Sequence, residues 1–363
     1  MRSFIPFGSP WNLSIPVPYS FLVRDRDMAW TCGQVPIDAA SNVLAPNDLL
    51  GQTEIVCDYI EGILQRAEMP PTLLGKLALY FVKQSPEDEA RMLAYCRSRF
   101  GERPVLVPVA VPHFYFDGLL LEVDAFAGAT GTPGVTITTD GATVQITDGG
   151  ELAWVTVSVA PDKVMEGRDL LASALSEFGL NADQRLSEHW IAPAAGNGAP
   201  DVARIATALD RAGLLSDDGA VVESTDPAAR VVGELTYAKA PVATDVTLID
   251  GVKIVSRRSG RFGWFSARVF DGEHGLVSQT SRMMRSLADA LDAQGMTFDN
   301  VVKSTSLYVG GQSAEALYEN MAVRNARYQT PGPASTGLPV RRLADPDSLI
   351  TVDVIAACDM PPA

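Results

Sequence analysis

The sequence is poor in the residues that build metal centres and disulfide frameworks. Among 363 residues there are four cysteines and three histidines. Cys32, Cys57, Cys96 and Cys358 are widely spaced, with no C-x-x-C and no adjacent histidine pattern. That argues against a zinc site or a disulfide scaffold and predicts reduced thiols in a cytoplasm. Positive charge is also scarce, because 29 basic against 44 acidic side chains leave a net charge of -15. A polyanion needs a concentrated basic face, so nucleic acid is not expected as a partner. No apolar run approaches the ~18 residues of a membrane span. The proline-rich stretch from Met1 to Leu22 lacks the basic-then-apolar order of a secretory signal. His113, His189 and His274 each stand alone, a placement that suits packing better than catalysis. Nothing calls for a cofactor, and the expected partner is a small molecule.

What is present is a repeat. Ala29-Trp30-Thr31-Cys32-Gly33-Gln34-Val35-Pro36-Ile37 reads as a strand running into a turn. It has two echoes, Ala153–Pro161 and Gly263–Asp271, each with tryptophan in second place. Around the first copy the pattern predicts strands Tyr19–Arg24 and Met28–Val35 about a charged turn, then a helix from Asn47 to Met69 stopped by Pro70-Pro71. A strand from Leu74 to Val82 follows, then a helix with Ser85 as N-cap and Pro86 behind it. Strands Val105–Val111 and Leu119–Phe126 complete a ββαβαββ order. The small-residue stretch Gly128–Gly134 separates this unit from a second one of the same order, and Lys239–Ala243 separates that from a third. Gln52-Thr53 stands 24 residues before Lys76, and Gln279-Thr280 stands 24 residues before Lys303. A period of about 110–120 residues kept in three places marks one module used three times. The expected modules are 1–132, 133–239 and 240–363.

These residues resemble the reactive-intermediate deaminase (Rid, YjgF-like) superfamily. Its members read I-T-S-G-Q-I-P, V-V-K-x-T-V-Y-L and V-E-I-E-A where this chain has WTCGQVPID, GKLALYFV and LLLEVDAFA. The first module carries the whole pattern, the third carries MTFDNVVKSTSLYV, and the second matches mainly by position. The resemblance implies an α+β, chorismate-mutase-like module that trimerises, with active sites in the clefts between subunits. Three fused copies imply an intramolecular pseudo-trimer, present as a monomer or dimer of such chains. Strands Met28–Val35, Leu152–Val159 and Phe262–Phe270 are apolar on both faces, which one helical layer leaves half uncovered. Three sheets packed around a common axis would bury the second face.

The resemblance also implies a site. Family members grip a substrate carboxylate with an arginine near the start of the fifth strand, and handle a water or proton with a glutamate on the last. At the arginine position this chain has Leu106, a residue near Asp217-Asp218, and Ser335, so the guanidinium is missing from all three. Arg341 keeps the parity of Ser335 on an extended chain and is the candidate anion anchor. At the glutamate position stand Glu122, Glu234 and Thr351. A carboxylate facing a half-buried cleft has a raised pKa and serves as general acid or base, which makes Glu122 and Glu234 the catalytic candidates. Tyr19 falls where the family has a cleft-lining tyrosine. Cys32, Thr156 and Ser266 share a small, weakly polar position on the second strand, and Gly33 would let a backbone N–H approach a ligand oxygen. A packing preference for small residues beside the turn accounts for the same pattern. The expected function is a diverged Rid-type hydrolase or lyase using glutamate acid-base catalysis on a small enamine, imine or enol-ether metabolite, in a biosynthetic pathway. Two alternatives stay open. One is a chorismatase-type hydrolase, which this chain resembles in length and in the missing arginine but not in its final strand, Ile350-Thr351-Val352-Asp353-Val354. The other is a non-catalytic small-ligand-binding or scaffold protein.

Overall fold

The computed structural model describes residues 2–12, 15–196, 201–216, 219–270, 275–311 and 313–358. Pro200, Asp217, Asp218 and His274 lie outside these residues. The first module runs β1 (Arg2–Ile5), β2 (Leu22–Asp25), β3 (Met28–Thr31), α1 (Leu49–Arg66), β4 (Leu74–Phe81), α2 (Asp88–Phe100), β5 (Val105–Ala110) and β6 (Leu121–Gly128). The second comprises β7 (Val135–Thr138), β8 (Ala142–Asp148), β9 (Leu152–Val159), α3 (Val164–Phe178), β10 (Arg185–Ala192), α4 (Val202–Arg211), β11 (Ala220–Glu223) and β12 (Val231–Ala238). The third comprises β13 (Ala243–Ile249), β14 (Val252–Ser259), β15 (Phe262–Val269), α5 (Leu276–Ala293), β16 (Val301–Tyr308), α6 (Ala314–Asn325), β17 (Ala334–Pro339) and β18 (Ile350–Ala357).

Each module builds a six-stranded sheet in one order, β1-β2-β3-β6-β4-β5 in the first, and its counterparts repeat that order. The pairs β4–β5, β10–β11 and β16–β17 are parallel. Every copy therefore adds an outer strand (β1, β7 or β13) to the ββαβαββ order read from the sequence.

Two local features differ from, or explain, the sequence pattern. Ser85 does not cap α2. The helix begins at Asp88, whose carboxylate accepts the backbone N–H groups of Gln84 and Ser85 and the Ser85 hydroxyl. An ionised carboxylate is the stronger acceptor, so it takes the turn's free donors. The repeated glutamine is a brace. Gln52 donates to the Gly118 carbonyl and accepts from the Leu120 N–H, while Gln279 donates to the Asp347 carbonyl and accepts from the Leu349 N–H. In both modules it ties a helix to the loop that leads into the last strand.

Strand periodicity decides the packing. All eight residues of β4 are buried, and so are those of β15 and β18. On β4, Leu77, Leu79 and Phe81 face the module's own helices, while Ala78 and Tyr80 join Ile191, Val232 and Leu307 from the other modules. The tryptophans occupy one register position, with Trp30, Trp154 and Trp264 opposite Phe126, Thr236 and Ile355. All three enter one cluster shared by the three sheets. The Trp154 ring lies on Gly75 of β4 in the neighbouring module, where a Cβ would overlap it. Among the described residues no helix is long and apolar enough to cross a membrane.

Gly75→Ala is therefore expected to destabilise the chain by about 1–3 kcal/mol through overpacking at this seam. Gly62→Ala, in α1 with nothing near its added Cβ, should instead gain up to about 1 kcal/mol in helix propensity. Urea denaturation of the two variants checks the contrast, and equal effects would deny the seam its close packing.

Candidate functional site

Each seam between modules opens into a cleft. The first is walled by Cys32, Gly33 and Glu122 from the first module and by Ser335, Gly337 and Arg324 from the third. The second sets Thr156 and Val232 against Leu106 and Pro108, and the third sets Thr351 against Gly219 and Ala220. Strand register fixes which residues correspond. Glu122, Val232 and Thr351 pair with Tyr80, Ile191 and Leu307 and are equivalent. Glu234 lies one pleat further on, level with Asp124 and Asp353. The alignment of Glu234 with Glu122 is thus corrected by two residues.

Glu122 projects from β6 onto Gly33, where a Cβ would overlap its carboxyl group. Room for that carboxyl is a reason for glycine here that the sequence did not disclose. Among the described residues Glu122 has no hydrogen-bond or ion-pair partner. Burial pushes its pKa up to about 8, Asp124 adds to the rise, and Lys303 opposes it. At neutral pH the group is mostly a neutral acid.

Across the cavity Arg324, in the last turn of α6, is 2% exposed. Its Nε donates to Asn320 Oδ1 at 3.0 Å and its Nη1 to Ser306 Oγ at 3.4 Å. Asn320 in turn donates to Thr280 Oγ1 at 2.6 Å. The guanidinium lies over Gly337, whose added Cβ would stand 2.8 Å from Nη2. It has no carboxylate partner among the described residues. A buried cation without an anion is costly and prepares the site to receive one. A positive charge thus lines the same cavity as Ser335, carried by a helix and not by the strand.

The cavity, of about 130 Å³, is otherwise largely aromatic, with Phe7, Trp11, Tyr19, Phe114, Tyr115 and Phe116 around it. The Tyr19 hydroxyl is buried beside Ser335; burial raises its pKa, and Arg324 and the Ser335 hydroxyl oppose the rise. The Cys32 thiol accepts from Gln34 Nε2 at 3.2 Å, and burial pushes its pKa well up, which suits a wall and not a nucleophile.

Residues 253–358 match the family model described as Endoribonuclease L-PSP. A RutC family protein from Pyrococcus horikoshii is 30% identical over 111 residues, which is 30% of this chain and 86% of that protein. The chain belongs to the Rid/YjgF-like superfamily. Among solved structures, a Rid family protein of unknown function from Yersinia pestis aligns with 35% of this chain and 97% of its own, at 25% identity and a TM-score of 0.27. A chorismatase aligns with 79% of this chain and 93% of its own, at 12% identity and a TM-score of 0.48. The family model falls on the third module, although the short Rid motifs are most complete in the first.

The remaining candidates of this Rid-type chain are dispersed. Tyr19, Cys32, Gly33, Glu122 and Ser335 meet in the first cleft, and Thr156 lies in the second. Ser266 is in the core, donating to Asp353 Oδ1 at 2.6 Å. Arg341 is half exposed, 3.6 Å from Glu223, and does not line the first cleft. Glu234 is not a poised acid. Burial alone would raise its pKa, but Lys76 at 2.5 Å and the nearby His189 hold it well below the usual carboxylate range.

That pair belongs to a ring. Lys303 of the third module meets Asp124 of the first at 2.8 Å, Lys76 of the first meets Glu234 of the second, and His189 of the second meets Asp353 of the third at 3.1 Å. Ser187 takes the lysine's register position in the second module, and His189, one pleat on, carries the contact. Among the described residues no cluster of histidine, cysteine and acidic side chains could hold a metal ion.

Burial would lower the His189 pKa, but Asp353 and Glu234 raise it to about 9. Its folded-state value thus exceeds the unfolded one, so the stabilisation is complete below about pH 6.5 and is lost as pH rises through about 9. Thermal unfolding should show a decline of order 3 kcal/mol across that window. His189→Gln should remove the part of the decline that runs to about pH 9 and leave the part that ends near pH 8, where the raised pKa of Glu122 acts in the same direction; an unchanged slope would contradict the assignment.

Proposed function

We propose that the first cleft is the active site of a diverged Rid-type hydrolase or lyase acting on a small enamine, imine or enol ether that carries a carboxylate. One observation carries this reading: a buried guanidinium without a carboxylate partner and a half-buried carboxyl group without a hydrogen-bond or ion-pair partner, among the described residues, line the same cavity. Arg324 takes the substrate carboxylate, whose charge it lacks among its own neighbours. The aromatic walls receive the apolar body and keep bulk water out.

The neutral Glu122 then protonates the electron-rich carbon of an enamine or enol ether, giving an iminium or oxocarbenium ion. Water adds to that cation, the Glu122 carboxylate takes a proton from it, and ammonia or an alcohol leaves as the carbonyl forms. An imine takes the Glu122 proton on its nitrogen, which gives the iminium ion and the Glu122 carboxylate, and then follows the same sequence. Both walls come from one chain, so no second copy is needed to complete this cleft. The Endoribonuclease L-PSP description belongs to the matched family. A net charge of -15 and a cavity of about 130 Å³ favour a small acid over an RNA strand here.

A screen of imino acids, enamine acids and enol-ether acids with the purified chain tests the reading. Glu122→Gln should lower kcat by about 10²–10⁴-fold with little change in KM. Arg324→Gln should raise KM, and Arg324→Lys should restore only part of the loss because lysine lacks the bidentate fork. Since the acid form is required, the wild-type rate should fall about tenfold per pH unit above about 8. If Glu122→Gln turns over each accepted substrate at the wild-type rate, the acid role is wrong. If no compound in the screen is turned over and Arg324→Gln abolishes the binding of one of them, the cleft is a binding site only.

A further inference from the structure

Directly beneath the first cleft, one side chain holds both of its walls. Lys303, on β16 and 1% exposed, places its Nζ 2.9 Å from the Thr31 carbonyl, 2.7 Å from Thr336 Oγ1 and 2.8 Å from Asp124 Oδ1. Thr31 immediately precedes the wall residues Cys32 and Gly33, and Thr336 lies between the wall residues Ser335 and Gly337. Thr336 also donates to Asp124 Oδ1 at 2.5 Å. The ammonium has three protons and meets three acceptors, two in the first module and one in the third. Asp124 and Glu122 stand two residues apart on β6, so both side chains leave the same face of the sheet.

We propose that Lys303 is a positioning residue for the Glu122 acid: it fixes the separation of the cleft walls and, through the Asp124 carboxylate it holds, sets the field in which Glu122 works. The inference rests on the first cleft being the active site, and it goes beyond that reading by assigning the control of the acid to a residue outside the cavity.

The other two seams are internal controls. Lys76 holds the equivalent position in the first module, but its ammonium bonds Glu234 and lies 3.5 Å from the centre of the Phe126 ring, without a bond to a cleft wall. The cleft at that seam has Val232 where Glu122 would stand. At the third seam the lysine is Ser187 and the acid is Thr351. A clamp on both walls thus accompanies the one cleft that keeps a carboxyl group at the Glu122 position.

The charges acting on Glu122 are identified. Asp124, on the same strand, raises its pKa, and Lys303 lowers it. Tyr80 on β4, Tyr308 on β16 and Cys32 feel its charge, while Tyr19 and Arg324 line the same cavity.

The test is a direct titration of Glu122 in the full chain by carbon NMR with labelled glutamate, the signal assigned by its loss in Glu122→Gln. Asp124→Asn should lower the midpoint from about 8 by about one pH unit or more, and Lys303→Met should raise it. Where Lys303→Met leaves Asp124 unpaired and fails to fold, the double variant Lys303→Met/Asp124→Asn removes both charges together. Its midpoint should lie between those of the wild type and Asp124→Asn. A folded Asp124→Asn chain whose midpoint stays within ~0.3 pH units of wild type overturns the proposal. The alkaline limb of the pH–rate profile should move with the NMR midpoint in each variant. Midpoints that move while the limb does not uphold the field set by Lys303 and Asp124, and remove Glu122 from the reaction.

Discussion

Buried ion pairs across the seams, Lys303–Asp124, Lys76–Glu234, His189–Asp353 and Arg261–Asp25 among them, are the constraint on which the rest of the structure depends. Removing Lys303 leaves the buried Asp124 without its cation and costs about 3–5 kcal/mol, whereas Asp353 without His189 keeps Arg268 at 3.0 Å. The pairs therefore fix how the sheets meet more strictly than apolar contact does, since a hydrophobic surface is non-directional and tolerates sliding. The shared cluster of Trp30, Trp154 and Trp264 supplies the apolar burial around them. The second module has lost the lysine of its siblings, and His189 reaches the same carboxylate level from the next inward-facing position. The geometry of the seam survives this exchange, whereas its dependence on pH does not.

Fusion of the modules lets each cleft go its own way. A homotrimer carries three identical clefts, because any substitution appears in every copy. Here the acid position holds glutamate, valine and threonine in turn. The first cleft joins the half-buried Glu122 carboxyl group to the buried Arg324 guanidinium, with an aromatic rim drawn in part from the N-terminal segment through Phe7 and Trp11. The other two clefts keep the shape of the fold and have lost that pairing.

Much of this was legible in the chain. The matched tryptophans and the 24-residue spacing from glutamine to lysine reported real equivalences, since both belong to strands and helices held in register by backbone hydrogen bonds and by the glutamine brace. Glu122 could be found because its motif is local. Glu234 was misplaced by two residues because a strand repeats its facing every second residue, so a slip of two keeps the pattern intact. Arg324 was not singled out from the other arginines of the third module. It belongs to a helix and not to the strand where the guanidinium was sought, and the contacts that aim it run through Asn320 to Thr280 on another helix. The i, i+4 spacing of Asn320 and Arg324 was visible, but nothing local says that this face of α6 looks into a cleft.

The sequence by itself determined the module, its three-fold repetition and the faces that each strand must bury, because periodicity and composition act over a few residues. The tertiary structure alone decided the chemistry of the clefts. A pKa of about 8 at Glu122 requires burial by residues far away in the chain, and the charges that act on it come from two modules. Arg324 comes to line the first cleft, without a carboxylate partner among the described residues, only once the third module closes on the first. Electrostatics depends on distance and burial in space, and neither can be read from order along a chain.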